Sequence, residues 1–227
     1  MIKKIITVLF LIIHITSISQ ASLQLKDLQA GDLLFLSEQC GSFCNAISNS
    51  TTTDSSDQQI NHVAIVLNSS NDKQSVIEAI RPKVTTTSLR RLIDNTYGKN
   101  NKTNILVGRL KSKYKDIIPQ ALLYAKEQKG KPYNATFKNN SYNSFYCSQL
   151  VTFSFNKAYS KQQRSKDSIL FKLAPMSFKN KHTGKTDETW STYFKNLKMP
   201  IPQGEYGSSP FLLSKNNNIL NFFILRT

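Results

Sequence analysis

Short apolar runs joined by brief connections dominate the first half of this chain. They occupy Leu33–Leu36, Asn61–Leu67, Ser75–Ile80 and Asn104–Leu110. Each run has the length of a strand and is too short for an ordinary helix. The connections between them do not follow the strand–helix–strand pattern of parallel sheets. The chain is therefore predicted to adopt an α+β fold with an antiparallel, partly barrel-like sheet.

Helical spacing follows in the middle of the chain. Residues 117–128 carry apolar side chains three and four positions apart, which predicts an amphipathic helix. Ser144 is a favourable N-cap for a second helix that continues to about Ala158. The sheet is expected to pack against this second helix. A short helix is also predicted at Leu89–Ile93.

Other regions lack clear periodicity. Residues 48–59 are rich in Ser, Asn, Thr and Gln and are predicted to form a polar loop. From residue 175 onward, prolines, glycines and asparagines interrupt the pattern, which indicates a C-terminal wrapping segment (about 175–227) with one short helix near Trp190–Leu197. No internal repeat is evident, so residues 22–227 are predicted to form a single catalytic domain.

The N-terminus has the pattern of a secretory signal peptide. Lys3 and Lys4 precede an almost unbroken apolar stretch at residues 5–13, and small residues occupy positions 19 and 21. The stretch is short for a membrane span, which needs about 20 residues. We therefore expect residues 1–21 to be removed and the protein to be secreted or periplasmic. The alternative is an uncleaved membrane anchor.

The chain is strongly basic. Its formal net charge is +16, and loss of Lys3 and Lys4 with the signal peptide leaves +14. Such a charge favours weak attraction to anionic surfaces. The basic residues are scattered, and no nucleic-acid-binding motif accompanies them. No specific nucleic-acid partner is predicted.

The chain has three cysteines, an odd number for an exported protein. Cys40 and Cys44 lie close together, and a local disulfide between them is the simplest interpretation. Cys147 is then left unpaired, and an unpaired cysteine in an exported protein is often a reactive thiol. The alternative is a metal site of Cys40, Cys44 and His62, but no second ligand pair supports it. Neither a metal nor another cofactor is predicted.

A histidine and a cysteine stand at the ends of two predicted elements. His62 opens an apolar strand, and Cys147 lies near the start of the second helix. Because His14 belongs to the signal peptide, the mature chain retains His62 and His182. The neighbours of His182 are those of an exposed loop. His62 is therefore the better candidate for a general base.

Cysteine chemistry is consistent with this arrangement. Unpaired N–H groups and the helix dipole at a helix N-terminus favour the thiolate of Cys147 and can stabilise an oxyanion. His62 can exchange the proton, and Glu78, a charged residue in an apolar strand, is the best candidate to orient the imidazole. Each residue alone is equally well explained as structural. Their combination indicates a nucleophile, a base and an orienting carboxylate.

The order of these motifs resembles the circularly permuted papain-like amidases of the NlpC superfamily, the YiiX/YaeF-like cysteine hydrolases. In ordinary NlpC-type enzymes the cysteine precedes the histidine, whereas here it follows, as the permutation requires. The matching segments are Gly31–Phe35, His62–Val66, Val76–Ala79, Gly130–Asn134, Phe145–Val151 and Trp190–Phe194. The resemblance implies that Cys147 is the nucleophile, His62 the base and Glu78 the orienting residue. Gln149 stands where some members carry an acidic residue.

The resemblance implies hydrolysis of an amide or ester bond through an acyl-enzyme. The substrate classes in play are peptides, cell-wall peptides and acylated molecules. Tyr133 and Tyr146, which belong to the last two central motifs, are predicted to bind substrate. Two alternatives stay open: an acyltransferase or lipid-directed hydrolase on the same permuted fold, and a non-catalytic module that binds a wall polymer.

Overall fold

The computed structural model describes residues 21–52, 59–68, 74–96, 105–140 and 142–226. The strands are β1 (Ser22–Gln24), β2 (Leu33–Leu36), β3 (His62–Asn68), β4 (Ser75–Ala79), β5 (Val84–Ser88), β6 (Ile105–Leu110), β7 (Ala174–Pro175), β8 (Tyr206–Gly207) and β9 (Leu220–Arg226). The α-helices are α1 (Ser42–Thr51), α2 (Leu89–Asp94), α3 (Ile118–Glu127), α4 (Cys147–Gln163), α5 (Glu188–Asn196) and α6 (Pro210–Leu213). Short 3₁₀ helices occupy Leu25–Asp27 and Ser112–Ile117.

The predicted signal peptide, residues 1–21, lies outside the described residues except for its last position. Residues 53–58 of the predicted polar loop also lie outside the described residues. None of the helices in the described part of the chain combines the length and the apolar character that a membrane span requires.

A seven-stranded sheet has the order β1-β9-β6-β2-β3-β4-β5. Neighbouring strands are antiparallel except for β1 and β9, which run parallel. The prediction of a mixed α+β fold with a largely antiparallel sheet is confirmed. The four strands predicted from the apolar runs are β2, β3, β4 and β6.

Both faces of the sheet are covered, which explains why its central strands are continuously apolar rather than alternating. On one face, α3 and α4 pack against Leu33, Val63, Ile65 and Ile77. On the other face, Leu34, Ala64 and Val76 contact the helix α2 and the N-terminal segment. The position of α4 against β3 brings the start of this helix to the start of that strand.

A separate aromatic cluster lies between α1 and α5. Its buried members are Ala46, Phe137, Tyr146, Phe178, Trp190 and Phe194. The indole Nε1 of Trp190 donates a hydrogen bond of 2.9 Å to Oγ of Ser50 on α1. This cluster fixes the C-terminal segment beside the N-terminus of α4, because Tyr146 is the N-cap of α4.

The structure corrects one predicted boundary and adds a strand to the C-terminal segment. Residues 48–51 form the end of α1 rather than the start of a polar loop. The small side chains of Ser48 and Ser50 let the helix pack closely, and both are buried. The C-terminal segment does more than wrap around the domain, because β9 enters the sheet between β1 and β6. Its apolar residues, Leu220 and Phe222–Leu225, carry a strand signal that was passed over because it follows a segment rich in prolines, glycines and asparagines.

The turn before β2 is held by a buried ion pair. Asp32 is 1% exposed and accepts hydrogen bonds from Nε and Nη2 of Arg109 at 2.8 and 2.7 Å. It also accepts a bond of 2.8 Å from the backbone N–H of Gln29. The hydrogen bond to Asp32 raises the pKa of Arg109. This contact links the start of β2 to β6.

Removal of this charge should destabilise the fold. We expect Asp32→Asn to lower the free energy of unfolding by about 3 kcal/mol, because it leaves a partly buried guanidinium without its counter-charge. The matched control is Asp94→Asn, which removes the exposed partner of Arg90 at 3.9 Å and should cost less than about 0.5 kcal/mol. Urea unfolding followed by the fluorescence of Trp190 measures both. Equal losses in the two variants would contradict the role of Asp32.

Candidate active site

Three side chains predicted to carry chemistry meet where β3 and α4 begin. His62 is the first residue of β3, Cys147 is the first residue of α4, and Glu78 lies on β4 next to β3. The thiol of Cys147 lies beside the imidazole of His62 and interacts with it electrostatically. Nε2 of the same ring lies 2.7 Å from Oε2 of Glu78. A thiol, an imidazole and a carboxylate in this order can generate and stabilise a nucleophilic sulfur.

The start of α4 differs from the prediction in one respect. The N-cap is Tyr146, in an extended conformation, rather than Ser144. The side chain of Gln149 satisfies the N-cap by accepting a hydrogen bond of 3.3 Å from the backbone N–H of Tyr146. Cys147 therefore occupies the first helical position. Backbone N–H groups at this position have no partner within the helix and can bind an anion.

Gln149 has a structural role that the sequence did not reveal. It is 1% exposed. Its Oε1 accepts a hydrogen bond of 3.0 Å from Nδ2 of Asn134, and its Nε2 donates one of 3.0 Å to Oδ1 of Asn139. The amide thereby ties the loop of residues 134–139 to the start of α4. The sequence signal for this role was the polar side chain of Gln149 in the first turn of a helix that continues with apolar residues.

His62 is buried and retains a raised pKa. Burial by itself lowers the pKa of the imidazole. The Glu38 carboxylate and the hydrogen bonds to Cys147 and Glu78 outweigh this effect and raise the pKa well above its ordinary value. The charged imidazolium is therefore the favoured form near neutral pH. An imidazolium beside the sulfur stabilises a thiolate.

Glu78 is the complementary partner. Burial favours its neutral form and raises its pKa, but the hydrogen bond and the charge of His62 lower the pKa overall, with help from Thr87 and Arg91. The register pairs Ile65 with Ile77, so Glu78 and His62 lie on the same face of the sheet, two residues apart along β3. Strand pairing thus brings the carboxylate to the ring.

Glu38 is a further acidic residue that sequence reasoning missed. It follows β2, and its backbone is clamped by Asn61, the residue before His62. The Glu38 N–H donates to Oδ1 of Asn61 at 2.8 Å, and Nδ2 of Asn61 donates to the Glu38 carbonyl at 3.0 Å. This reciprocal pair holds the Glu38 carboxylate close enough to His62 to raise the pKa of the imidazole.

Glu38, His62 and Glu78 also form a group with metal-ligating atoms. Each residue offers one ligand atom, and these atoms lie within 4.8 Å of one another. The set contains one imidazole nitrogen and two carboxylate oxygens, which are ligand types that Zn²⁺ accepts. The histidine of this group, His62, is also the residue whose imidazole interacts with the Cys147 thiol.

A wide cleft of about 710 Å³ opens in front of His62 and Cys147, and Glu78 is not among its lining residues. We call it the wide cleft; its wall includes Glu38, Phe43, His62, Arg81, Cys147 and Tyr193. The predicted disulfide between Cys40 and Cys44 is present in this wall, with Cα atoms 5.3 Å apart, and Cys147 is free.

Arg81 is a cation of the wide cleft that the sequence did not single out. Its guanidinium lies 5.1 Å from the ring centre of Tyr193 and 5.3 Å from that of Phe43. It also donates a hydrogen bond to the Tyr193 hydroxyl. Cation–π contacts of this kind hold the charged group in one orientation.

A second cavity of about 220 Å³ lies on the other side of Cys147. We call it the apolar pocket; its main lining residues are Phe137, Tyr146, Met176, Phe178, Trp190 and Phe211. Cys147 lines both cavities, so its sulfur stands at the boundary between them.

The predicted substrate-binding tyrosines occupy different positions. Tyr133 lines both cavities. The pKa of its hydroxyl is raised well above the ordinary value, mainly by burial and also by the charge of the nearby Cys147. Tyr146 lines the apolar pocket, where its hydroxyl accepts a hydrogen bond of 3.2 Å from the Ser208 N–H. Their contact with substrate stays a prediction. His182 is exposed and is not among the residues that line either cavity, although its neighbour Lys181 lines the apolar pocket.

Comparison with known proteins gives two findings. Residues 27–216 match the family model described as permuted papain-like amidase enzyme, YaeF/YiiX, C92 family. A solved structure, the metalloprotein yiiX from Escherichia coli O157:H7, is similar in fold, with a TM-score of 0.59 and 22% identity over 88% of this chain and 97% of that chain. No curated protein sequence matches significantly.

The raised pKa of His62 predicts a pH-dependent contribution to stability. The protonated ring stabilises the folded state, and this contribution is complete below the unfolded value of 6.5. It is lost as pH rises through the raised folded pKa. Above pH 6.5, the free energy of unfolding of the wild type should therefore fall relative to that of His62→Gln. Urea unfolding of both proteins across this range measures the difference, and a constant difference would contradict the assignment.

Proposed function

Because the chain belongs to the family of permuted papain-like amidases (YaeF/YiiX, C92), we propose that it hydrolyses an amide or ester bond with Cys147 as nucleophile, His62 as base and Glu78 as the residue that positions the imidazole. The observation that carries this proposal is the buried imidazole of His62, which interacts with the Cys147 thiol and whose Nε2 lies 2.7 Å from Oε2 of Glu78. It stands at the boundary of two cavities that are large enough to receive the two halves of a substrate.

The first half-reaction forms an acyl-enzyme. The sulfur of Cys147 attacks the substrate carbonyl carbon while His62 holds the proton of the thiol. The carbonyl oxygen becomes an oxyanion, which the free backbone N–H groups at the start of α4 can stabilise. Collapse of this intermediate breaks the carbon–nitrogen or carbon–oxygen bond. His62 gives the proton to the departing amine or alcohol, and a thioester to Cys147 remains.

The second half-reaction releases the acid. Water enters through the wide cleft, where the neutral imidazole of His62 takes its proton. The hydroxide adds to the thioester carbon, and the same N–H groups bind the second oxyanion. Expulsion of the Cys147 thiolate yields the carboxylic acid and restores the thiolate–imidazolium pair. Glu78 stabilises the imidazolium in each half-reaction by its charge and its hydrogen bond.

The proposal extends to substrate and location. Its substrates are peptides, cell-wall peptides or acylated molecules, and a basic surface adds weak attraction to anionic polymers. The N-terminal pattern supports export, and so does the Cys40–Cys44 disulfide, because such bonds persist in oxidising compartments.

A divalent cation is a competing occupant of the site. The structural neighbour yiiX is described as a metalloprotein, and the donor set of Glu38, His62 and Glu78 fits an ion such as Zn²⁺. When bound, such an ion supplies Lewis-acid polarisation of a carbonyl group. The ring of His62 is already engaged by Glu78 and Cys147. An ion can therefore bind only at the expense of a hydrogen bond that the thiol chemistry uses.

Substitution tests the three roles. Cys147→Ala and His62→Ala should each abolish turnover of a chromogenic amide or ester, because neither alone can form the acyl-enzyme. Glu78→Gln should cost less, since no reacting atom is removed. His182→Ala is the control and should leave activity unchanged. Labelling by a thiol-directed probe should disappear in Cys147→Ala.

Two results would contradict this assignment. One is full activity in Cys147→Ala. The other is a Glu78→Gln loss as large as that of His62→Ala with an intact fold, since this would make Glu78 more than a positioning residue. Circular dichroism and thermal unfolding of each variant separate loss of catalysis from loss of structure.

The competition with metal gives a separate prediction. Addition of Zn²⁺ should inhibit the enzyme, and EDTA should restore activity, because the ion occupies the base that the thiol needs. Glu38→Gln should weaken this inhibition by removing one donor. Activity that is lost in EDTA and regained with Zn²⁺ would contradict the thiol mechanism.

A further inference from the structure

The positive charge of the chain is concentrated in one part of the fold. Residues 111–166 make up about a quarter of the sequence and contain eleven Lys and Arg residues but two acidic residues, Asp116 and Glu127. Their formal charge is +9, out of +16 for the whole sequence. This segment forms the 3₁₀ helix Ser112–Ile117 and the helices α3 and α4, which pack against one another. Cations that look scattered in the sequence are therefore brought to one side of the protein.

Two lysines of α4 lie over its contact with α3. Nζ of Lys157 is 4.4 Å from the ring centre of Tyr124 on α3 and 5.4 Å from that of Phe153 on α4. One turn further along α4, Nζ of Lys161 donates a hydrogen bond of 3.0 Å to Oε1 of Gln120 on α3. Both lysines are exposed. Because residues four apart in a helix lie on the same side of it, the two ammonium groups form a row along the seam between the helices.

The lysines of this surface have no carboxylate partner among the described residues. We call the surface the basic face; it comprises the exposed side chains of Leu123, Lys126, Tyr142, Lys157 and Lys161. In the described ranges of the chain, the ion pairs within 4.0 Å are His62–Glu78, Arg90–Asp94, Arg109–Asp32 and Lys138–Glu205. These pairs include no lysine of the basic face, so its charge is left to attract an anionic partner.

Exposed apolar groups lie among these cations. Leu123 and Tyr142 are each 50% exposed. The ring of Tyr142 lies 4.6 Å from that of Phe153, which is itself beside Lys157. Leu123 is one helical turn before Lys126 on α3. A surface that mixes cations with exposed apolar and aromatic side chains matches the interface of an anionic bilayer, which offers phosphate groups next to hydrocarbon.

A bilayer explains this combination better than a soluble polyanion does. Phosphate groups of either partner can neutralise the lysines, but only the bilayer also removes the apolar surface of Leu123 and Tyr142 from water. Single-stranded nucleic acid needs free aromatic faces for stacking, whereas the rings of Tyr124 and Phe153 on this face are occupied by Lys157. The charge and the exposed apolar groups therefore point to the same partner.

The basic face is separate from the active site. Lys157 lies ten residues beyond Cys147 on α4, which corresponds to about 15 Å along the helix axis. The residues of the basic face line neither the wide cleft nor the apolar pocket. Contact through this face therefore leaves both cavities open.

From these observations we propose that the basic face docks the protein on an anionic phospholipid bilayer. Lys126, Lys157 and Lys161 lie among the head-group phosphates, and Leu123 and Tyr142 lie at the edge of the hydrocarbon. This docking is additional to the proposed hydrolysis and does not depend on the chemistry at the active site.

Vesicle binding tests the proposal. Co-flotation should recover the protein with phosphatidylcholine vesicles that contain about 30% phosphatidylglycerol, and not with pure phosphatidylcholine. Lys157→Glu combined with Lys161→Glu should weaken binding about thirtyfold or more, since each lost cation costs about a factor of five and the new carboxylates are repelled. The matched control is Lys179→Glu combined with Lys195→Glu, which makes the same change in net charge at exposed positions outside the basic face. It should weaken binding by less than about threefold, because charges far from the bilayer are screened.

Tryptophan fluorescence measures the contact directly. Trp190 is the only tryptophan of the sequence and is 2% exposed, so Leu123→Trp adds a reporter on the basic face. Its emission should be quenched by brominated acyl chains in the anionic vesicles. The matched control is Leu197→Trp, which places the same reporter at a 38% exposed position at the end of α5. Its emission should not be quenched.

Three results would overturn the docking surface. Equal loss of binding in the two double-lysine variants would show attraction by net charge alone. Equal binding to neutral and anionic vesicles, or no quenching at position 123, would exclude the basic face as the contact. Displacement by inorganic polyphosphate, together with unchanged vesicle binding in Leu123→Ser, would make the partner a soluble polyanion. All variants carry the same N-terminus, so any contribution of residues 1–21 cancels, and circular dichroism checks that each variant is folded.

Discussion

The site depends on one buried contact, the hydrogen bond of 2.7 Å between His62 and Glu78. Burial disfavours the charged form of each group, yet the pKa of His62 is raised and that of Glu78 is lowered. The pair is thus stable as an ion pair because each charge compensates the other in a medium of low dielectric. A slip of one residue between β3 and β4 would turn the two side chains to opposite faces. The register of the sheet is therefore part of the catalytic geometry.

The second constraint is the position of Cys147 at the first residue of α4. This position brings the sulfur and the free N–H groups of the helix to the same point, so that nucleophile and oxyanion site need no further alignment. It also places the sulfur at the boundary between the wide cleft and the apolar pocket. One atom then faces a charged, open space on one side and an apolar, enclosed space on the other.

The sequence predicted the elements whose signal is local. Leu33–Leu36 was predicted with its observed bounds because an unbroken apolar run identifies a buried strand, and the nearby pair Cys40 and Cys44 indicated the disulfide. Features that depend on distant contacts were missed. The last four residues of α1 are Ser, Asn and Thr residues that are typical of a loop, and β9 joins the sheet between β1 and β6, strands from the distant N-terminal half of the chain. Glu38 acts on His62 because the Asn61 clamp brings them together, which no local pattern of residues reveals.

The walls of the cavities come largely from two helices, of which α1 was missed and α5 was predicted near Trp190–Leu197. The helices α1 and α5 supply Phe43 and Tyr193 to the wide cleft and Trp190 to the apolar pocket, whereas the sheet and α4 supply the reacting groups. The two layers meet at Tyr146, which caps the helix of Cys147 and packs against Phe137 with ring centres 5.4 Å apart. Changes in α1 or α5 can therefore reshape the space around the substrate while the hydrogen bonds of the catalytic residues stay in place. In the proposed mechanism, the position of the reacting groups depends on strand register and a helix start, and the shape of the cavities beside them depends on an aromatic layer.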